Sequence, residues 1–94
     1  MELELPISSS FDSKDGILTV RWIPPRTFES ETKVRVTDIP NGKTVWIYPT
    51  SSECRILQQN SKDLTVEVHV IYPDLNLRYV SEKIVLPSKQ TSKV

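Results

Sequence analysis

Two stretches of the chain alternate apolar and polar residues with a period of two: Leu18-x-Val20-x-Trp22 and Leu64-x-Val66-x-Val68-x-Val70. A strand points successive side chains to opposite faces, so each stretch predicts a β-strand with one apolar face. The opposite faces carry Thr19 and Arg21 in the first stretch and Thr65, Glu67 and His69 in the second. That is the pattern of an antiparallel sheet with one solvated side, and it places His69 on a wet face. Weaker alternation over Glu2–Ile7, Lys33–Thr37, Thr44–Tyr48, Glu53–Leu57 and Val80–Leu86 brings the total to about seven strands at short spacing, the signature of a sandwich or barrel.

Asn41-Gly42 lies between two strand-like runs. A type I′ turn needs positive φ at both central residues, and this dipeptide supplies it. A two-residue loop there would set Pro40 opposite Lys43, Thr37 opposite Trp46, Val36 opposite Ile47 and Arg35 opposite Tyr48. With Val34 and Val36 inward, Val45 and Ile47 are inward too. Trp46, Tyr48, Arg35 and Lys33 then share the outer face.

Composition supports the all-β reading. Val, Ile and Thr make up 26 of 94 residues and Ala is absent, and β-branched side chains suit a pleated, half-buried surface. Seven Pro stand against two Gly, so Pro should mark loops and sheet edges, where no ladder N–H is needed. A chain of 94 residues with twelve basic and twelve acidic groups makes one small domain with little room for a deep pocket and no net field to steer a charged ligand. We expect the domain over residues 1–87 and a polar tail or linker over 88–94, the whole cut from a larger protein. No apolar run approaches the roughly 20 residues that span a bilayer, and no secretory leader is evident, so direct membrane contact is not expected. A single Cys54 and the absence of a glycosylation sequon point towards a reducing, intracellular compartment. An extracellular piece of a receptor or adhesion protein is the alternative.

The run Gly16-Ile17-Leu18-Thr19-Val20-Arg21-Trp22-Ile23-Pro24-Pro25 resembles the second strand of a fibronectin type III domain, where Leu-x-Val-x-Trp-x-x-Pro sets a core Trp before a Pro-rich loop. Cys54-Arg55-Ile56-Leu57 followed by Leu64-x-Val66-x-Val68-x-Val70 is similar to that family's fifth and sixth strands. The likeness spans nearly the whole chain through short motifs, and Leu64 stands where the family usually carries a Tyr. It implies a seven-stranded antiparallel β-sandwich of the immunoglobulin-like kind, with Trp22 as core anchor. It also implies that Glu2 and Glu4 join Arg21, Glu53 and Arg55 on the solvent face of one sheet, where opposite charges can pair across strands.

Candidate chemistry is sparse. A nucleophilic site needs Ser, Thr or Cys beside an oriented base, and the one imidazole, His69, reads as an ordinary surface residue. Cys54 falls on an inner face with Ile56 and reads as a small buried hydrophobe. Asp12 and Asp15 read as turn residues, not metal ligands. Two isolated Gly with no helix exclude a phosphate cradle, and interleaved charges argue against nucleic acid. The sequence therefore predicts no enzyme, no catalytic or metal-binding residue and no cofactor.

Two features point to protein recognition. Arg35, Trp46 and Tyr48 gather on the outer face at a sheet edge, and Trp, Tyr and Arg are the types enriched at interface hot spots. The segment Pro73–Tyr79 puts Leu75, Leu77 and Tyr79 where a loop would ordinarily be polar. Some fibronectin type III domains bind partners through this loop, although no Arg-Gly-Asp is present here. The expected function is a non-enzymatic protein-interaction module, with a purely architectural spacer contacting neighbouring domains of its own chain as the alternative. Self-association through the aromatic edge strand is a further expectation, limited by Pro40 and Pro49.

Overall fold

A computed structural model describes residues 1–89; Gln90–Val94, the greater part of the expected tail, lie outside the described residues. Ser88 and Lys89, which the sequence assigns to that tail, are tied to the domain: the Ser88 amide donates to Asp63 Oδ1 at 2.7 Å and the Lys89 amide to the Gln59 carbonyl at 2.8 Å. The described chain forms β1 (Glu2–Glu4), β2 (Ile7–Asp12), β3 (Ile17–Trp22), β4 (Glu31–Asp38), β5 (Lys43–Ile47), β6 (Glu53–Leu57), β7 (Leu64–Tyr72), β8 (Leu77–Val80) and β9 (Ile84–Leu86), with a 3-10 turn over Pro73–Leu75. A six-stranded sheet runs β1-β8-β7-β4-β5 with β9 also paired to β7, and a three-stranded sheet runs β2-β3-β6.

Nine strands replace the expected seven because two of the predicted runs break. The first breaks at Leu5-Pro6. Pro6 has no amide to give a ladder, and there the chain leaves the large sheet, where β1 runs parallel to β8, for the small one, where β2 pairs antiparallel with β3. Glu2 and Glu4 therefore stand beside Arg78 and Val80 in the large sheet, not with Arg21 and Arg55 as the family likeness implied. The last run breaks at Ser81, whose hydroxyl accepts from the Val68 amide at 2.9 Å. That side chain supplies the acceptor for one β7 amide between the stretches of β7 paired with β8 and with β9, while the Ser81 amide still donates to the Val68 carbonyl at 2.9 Å.

One loop length, four residues, recurs at three hairpins. Asp12 opposes Ile17, Asp38 opposes Lys43 and Tyr72 opposes Leu77. In each case the last residue before the new strand has positive φ: Gly16 at 69°, Gly42 at 70° and Asn76 at 52°. Those are the residue types that reach this region at least cost. The Gly16 and Gly42 amides return to the Asp12 and Asp38 carbonyls at 2.7 and 2.6 Å, while the Asp12 and Asp38 carboxylates accept from amides inside their loops. The Asp four positions before each Gly decides the turn. The loop is accordingly residues 39–42, not Asn41-Gly42 alone, and the observed register sets Arg35 opposite Trp46 and Val36 opposite Val45. This differs from the expected register by two residues, so every side chain keeps its predicted face.

The apolar faces of both sheets share one core. Leu18, Val20, Trp22, Cys54 and Ile56 come from the small sheet and Val34, Val66, Val68, Val70 and Tyr72 from the large one, with Leu5 buried at the crossing between them. Trp22 is buried as predicted, whereas Val36, expected in the core, is only partly covered near the open edge. At one end of the core the Tyr72 hydroxyl accepts from the Arg26 amide at 2.9 Å and donates to the Arg26 carbonyl at 3.0 Å. The Arg26 guanidinium donates to the Tyr79 hydroxyl at 3.1 Å. This pins the Pro-rich loop after β3.

Candidate interaction face

The outer face of the large sheet is built from residues that alternate with the core. On β7 these include Glu67 and His69; on β4, Lys33 and Arg35; on β5, Trp46. The pairing sets His69 opposite Lys33 and Glu67 opposite Arg35, with Arg35 in turn opposite Trp46. Long side chains from β4 and β5 then reach over the shorter ones of β7.

His69 and Glu67 are therefore buried, 5% and 8% exposed, and His69 is not the surface residue the alternation predicted. His69 Nε2 lies 2.9 Å from Glu67 Oε1, and the Arg35 guanidinium donates to the same oxygen. An ionised carboxylate only accepts, which assigns the ring hydrogen to Nε2. His69 Nδ1 is left buried without a hydrogen-bond partner among the described residues. Burial by itself would raise the Glu67 pKa. The hydrogen bonds from His69 and Arg35, with the Arg35 charge, outweigh it and hold the carboxyl below the ordinary glutamate value.

Trp46 covers this network. Its ring meets the His69 imidazole edge to face, centroids 5.4 Å apart, a geometry that sets positive ring edge against negative ring face. Lys33 Nζ lies 4.5 Å from the Trp46 centroid and the Arg35 guanidinium carbon 5.6 Å. Two cations thus flank one half-buried indole. Arg35, expected beside Tyr48, stacks on Trp46 instead. Tyr48 lies just past β5 and is 61% exposed.

The second candidate segment folds inward. Tyr79 is 8% exposed, its ring set edge to face against Tyr72 at 6.0 Å, so it offers no surface to a partner. Leu75 and Leu77 are partly buried and pack on the core. Their apolar character closes the end of the domain. Of the six predicted residues, the structure gathers only Arg35, Trp46 and Tyr48 at one edge. Lys33, Glu67 and His69 complete that face, and the sequence signal for them is their shared strand parity with Arg35 and Trp46.

Elsewhere the chemistry is quiet. Cys54 is a buried free thiol whose pKa burial pushes up. Among the described residues no group of His, Cys, Asp and Glu is arranged to hold a metal ion, and no helix is long and apolar enough to cross a membrane. No protein-family model, no curated protein and no solved structure matches the chain.

Proposed function

We propose that this chain is a fibronectin type III-like β-sandwich acting as a non-enzymatic protein-interaction module within a larger protein. The observation that carries the reading is the Trp46 platform: an indole flanked by Lys33 and Arg35 and seated on the buried Glu67–His69 pair. A side chain fixed in this way loses little further freedom when a partner covers it, which is how interface anchors contribute most of their affinity. Support for the family comes from the core Trp22 before Pro24-Pro25 and from two sheets around one core.

The test is capture by the full-length parent protein. Tyr48→Ala and Lys33→Glu alter the platform at its rim, and Trp46→Ala removes it, with circular dichroism and thermal melting run on each. A partner held by the wild type and lost in all three folded variants supports the module. A partner whose binding is indifferent to all three overturns it.

A spacer role is favoured by a separate observation. Ile23 and Phe28, in the loop after β3, are 83% and 57% exposed, and Ile39 in the β4–β5 loop is 47% exposed. Apolar loop residues of this kind suit contact with neighbouring domains of the same chain. Loss of interdomain order on Ile23→Ser and Phe28→Ser, with partner capture unchanged on the Trp46 variants, would favour the spacer.

A further inference from the structure

The side of the domain between β5 and β6 is open. β5 ends the large sheet and β6 ends the small one, and an edge strand presents backbone N–H and C=O groups that no neighbour takes. Between the two edges lies a groove of about 340 Å³ whose apolar lining includes Val36, Val45, Ile47 and Leu57. Val45 and Leu57 are 59% and 56% exposed, so the described chain leaves this lining uncovered. Its charged rim is Lys43, Arg55 and Lys62 against the single acid Asp38. Asp38 is engaged by Lys62 at 3.2 Å, and Arg55 shares Glu53 with Arg21, which leaves the rim with an excess of positive charge. Lys33 adds to it on the outer side of the β4–β5 pair, where Arg35 is offset by Glu67.

We propose that this groove accepts one extended peptide strand from a partner protein. The peptide pairs with the free edge of β5, sets apolar residues into the groove at every second position, and carries carboxylates between them. This deepens the interaction-module reading and rests on it. Backbone pairing supplies affinity without regard to sequence, and the side-chain period of two supplies the choice of partner. The rim supplies the sign of the charge. A second copy of this chain fits less well, because it brings the same excess of cations to the contact and like charges across an interface oppose docking. Pro40 and Pro49 bound the available edge, so the paired segment is short and centres on Val45.

The test uses the whole 94-residue chain, labelled with nitrogen-15, titrated with a short peptide of alternating Glu and Val and, separately, with the peptide in which every Glu is Lys. The expected result is amide shifts and slowed hydrogen exchange across Lys43–Ile47, with the Lys peptide weaker by about tenfold or more. Val45→Glu, a change at an exposed position, removes an apolar seat and sets a like charge against the Glu peptide, and should weaken it by a similar factor, with melting temperature as the check on folding. Equal binding of the two peptides, or no response of β5 to the Glu peptide, would overturn the proposal. Concentration-dependent shifts of the same amides without peptide would overturn it in favour of self-pairing. Failure here leaves partner capture through Trp46 and Tyr48 untouched, whereas failure of the module reading shows as capture indifferent to those residues.

Discussion

On the outer face of the small sheet, Glu53 accepts from Arg21 at 3.0 Å and from Arg55 at 3.1 Å, and the two arginine side chains stay 56% and 67% exposed. On the outer face of the large sheet, Glu67 likewise takes two donors, Arg35 and His69, but its side chain is 11% exposed and that of His69 only 7%. The chemistry is similar and the setting is not. Around Glu53, water solvates every charge whether or not a pair forms, so an exposed pair contributes about 0–1 kcal/mol. Around Glu67, Trp46 and the stems of Lys33 and Arg35 exclude water, so the carboxylate depends on its protein donors. Whether a strand face is wet is thus decided by the reach of residues on neighbouring strands, not by the strand's own alternation.

Substitutions at three positions sharpen that contrast, in falling order of effect. Trp22→Ala empties the layer beneath both faces and should cost about 3–5 kcal/mol by chemical denaturation; a variant with unchanged midpoint would mean that the two sheets do not share the core described. Next comes Glu67→Ala, which leaves His69 Nε2 without its acceptor and strands the Arg35 charge. A loss of about 2–3 kcal/mol is expected, below the usual figure for a fully buried pair because Arg35 can rehydrate. The pH dependence follows from the lowered Glu67 pKa. A carboxyl depressed in the folded state contributes stability that is present above its unfolded value of about 4.3 and is lost as pH falls through the folded value. Urea unfolding of Glu67→Gln between pH 6 and pH 3 should therefore show a shallower acid decline than the wild type, and an identical slope would break the argument. Smallest is Arg21→Ala, expected to cost under about 1 kcal/mol and to lose even that in high salt. A cost there equal to that of Glu67→Ala would erase the distinction between the faces.

The strands themselves were largely readable from the chain, because period-two alternation survives wherever one face meets the core. Leu18, Val20 and Trp22 illustrate it, as do the four alternate residues from Leu64 to Val70. What the alternation misplaced was His69. Thr65, Glu67 and His69 are polar, yet β7 is flanked on both sides, by β4 and by β8 and β9, and polar residues of a central strand are reached by long side chains from its neighbours. Strand order is non-local information. The Arg35, Trp46 and Tyr48 edge was legible through parity even though the register was off by two, since an even slip preserves faces. The β4–β5 turn departs from the two-residue Asn41-Gly42 loop for a local reason: Asp38 and Gly42, spaced like Asp12 and Gly16, carry the loop. For Leu75, Leu77 and Tyr79, apolar loop residues that suggest a docking site, the structure buries Tyr79 and packs Leu75 and Leu77 partly against the core.

The crossing at Leu5-Pro6 makes one continuous piece of chain a member of both sheets. β1 is bonded into the large sheet through β8, β2 into the small sheet through β3, and the Met1 amino group donates to the Asn76 carbonyl 75 positions along the chain. The sheets consequently cannot slide or part as independent plates. Separation at that side must first strip β1 from β8 or β2 from β3 and draw Leu5, 1% exposed, into water. A strap of this kind joins the breaking of one sheet to the breaking of the other. It favours a single all-or-none transition over peeling layer by layer.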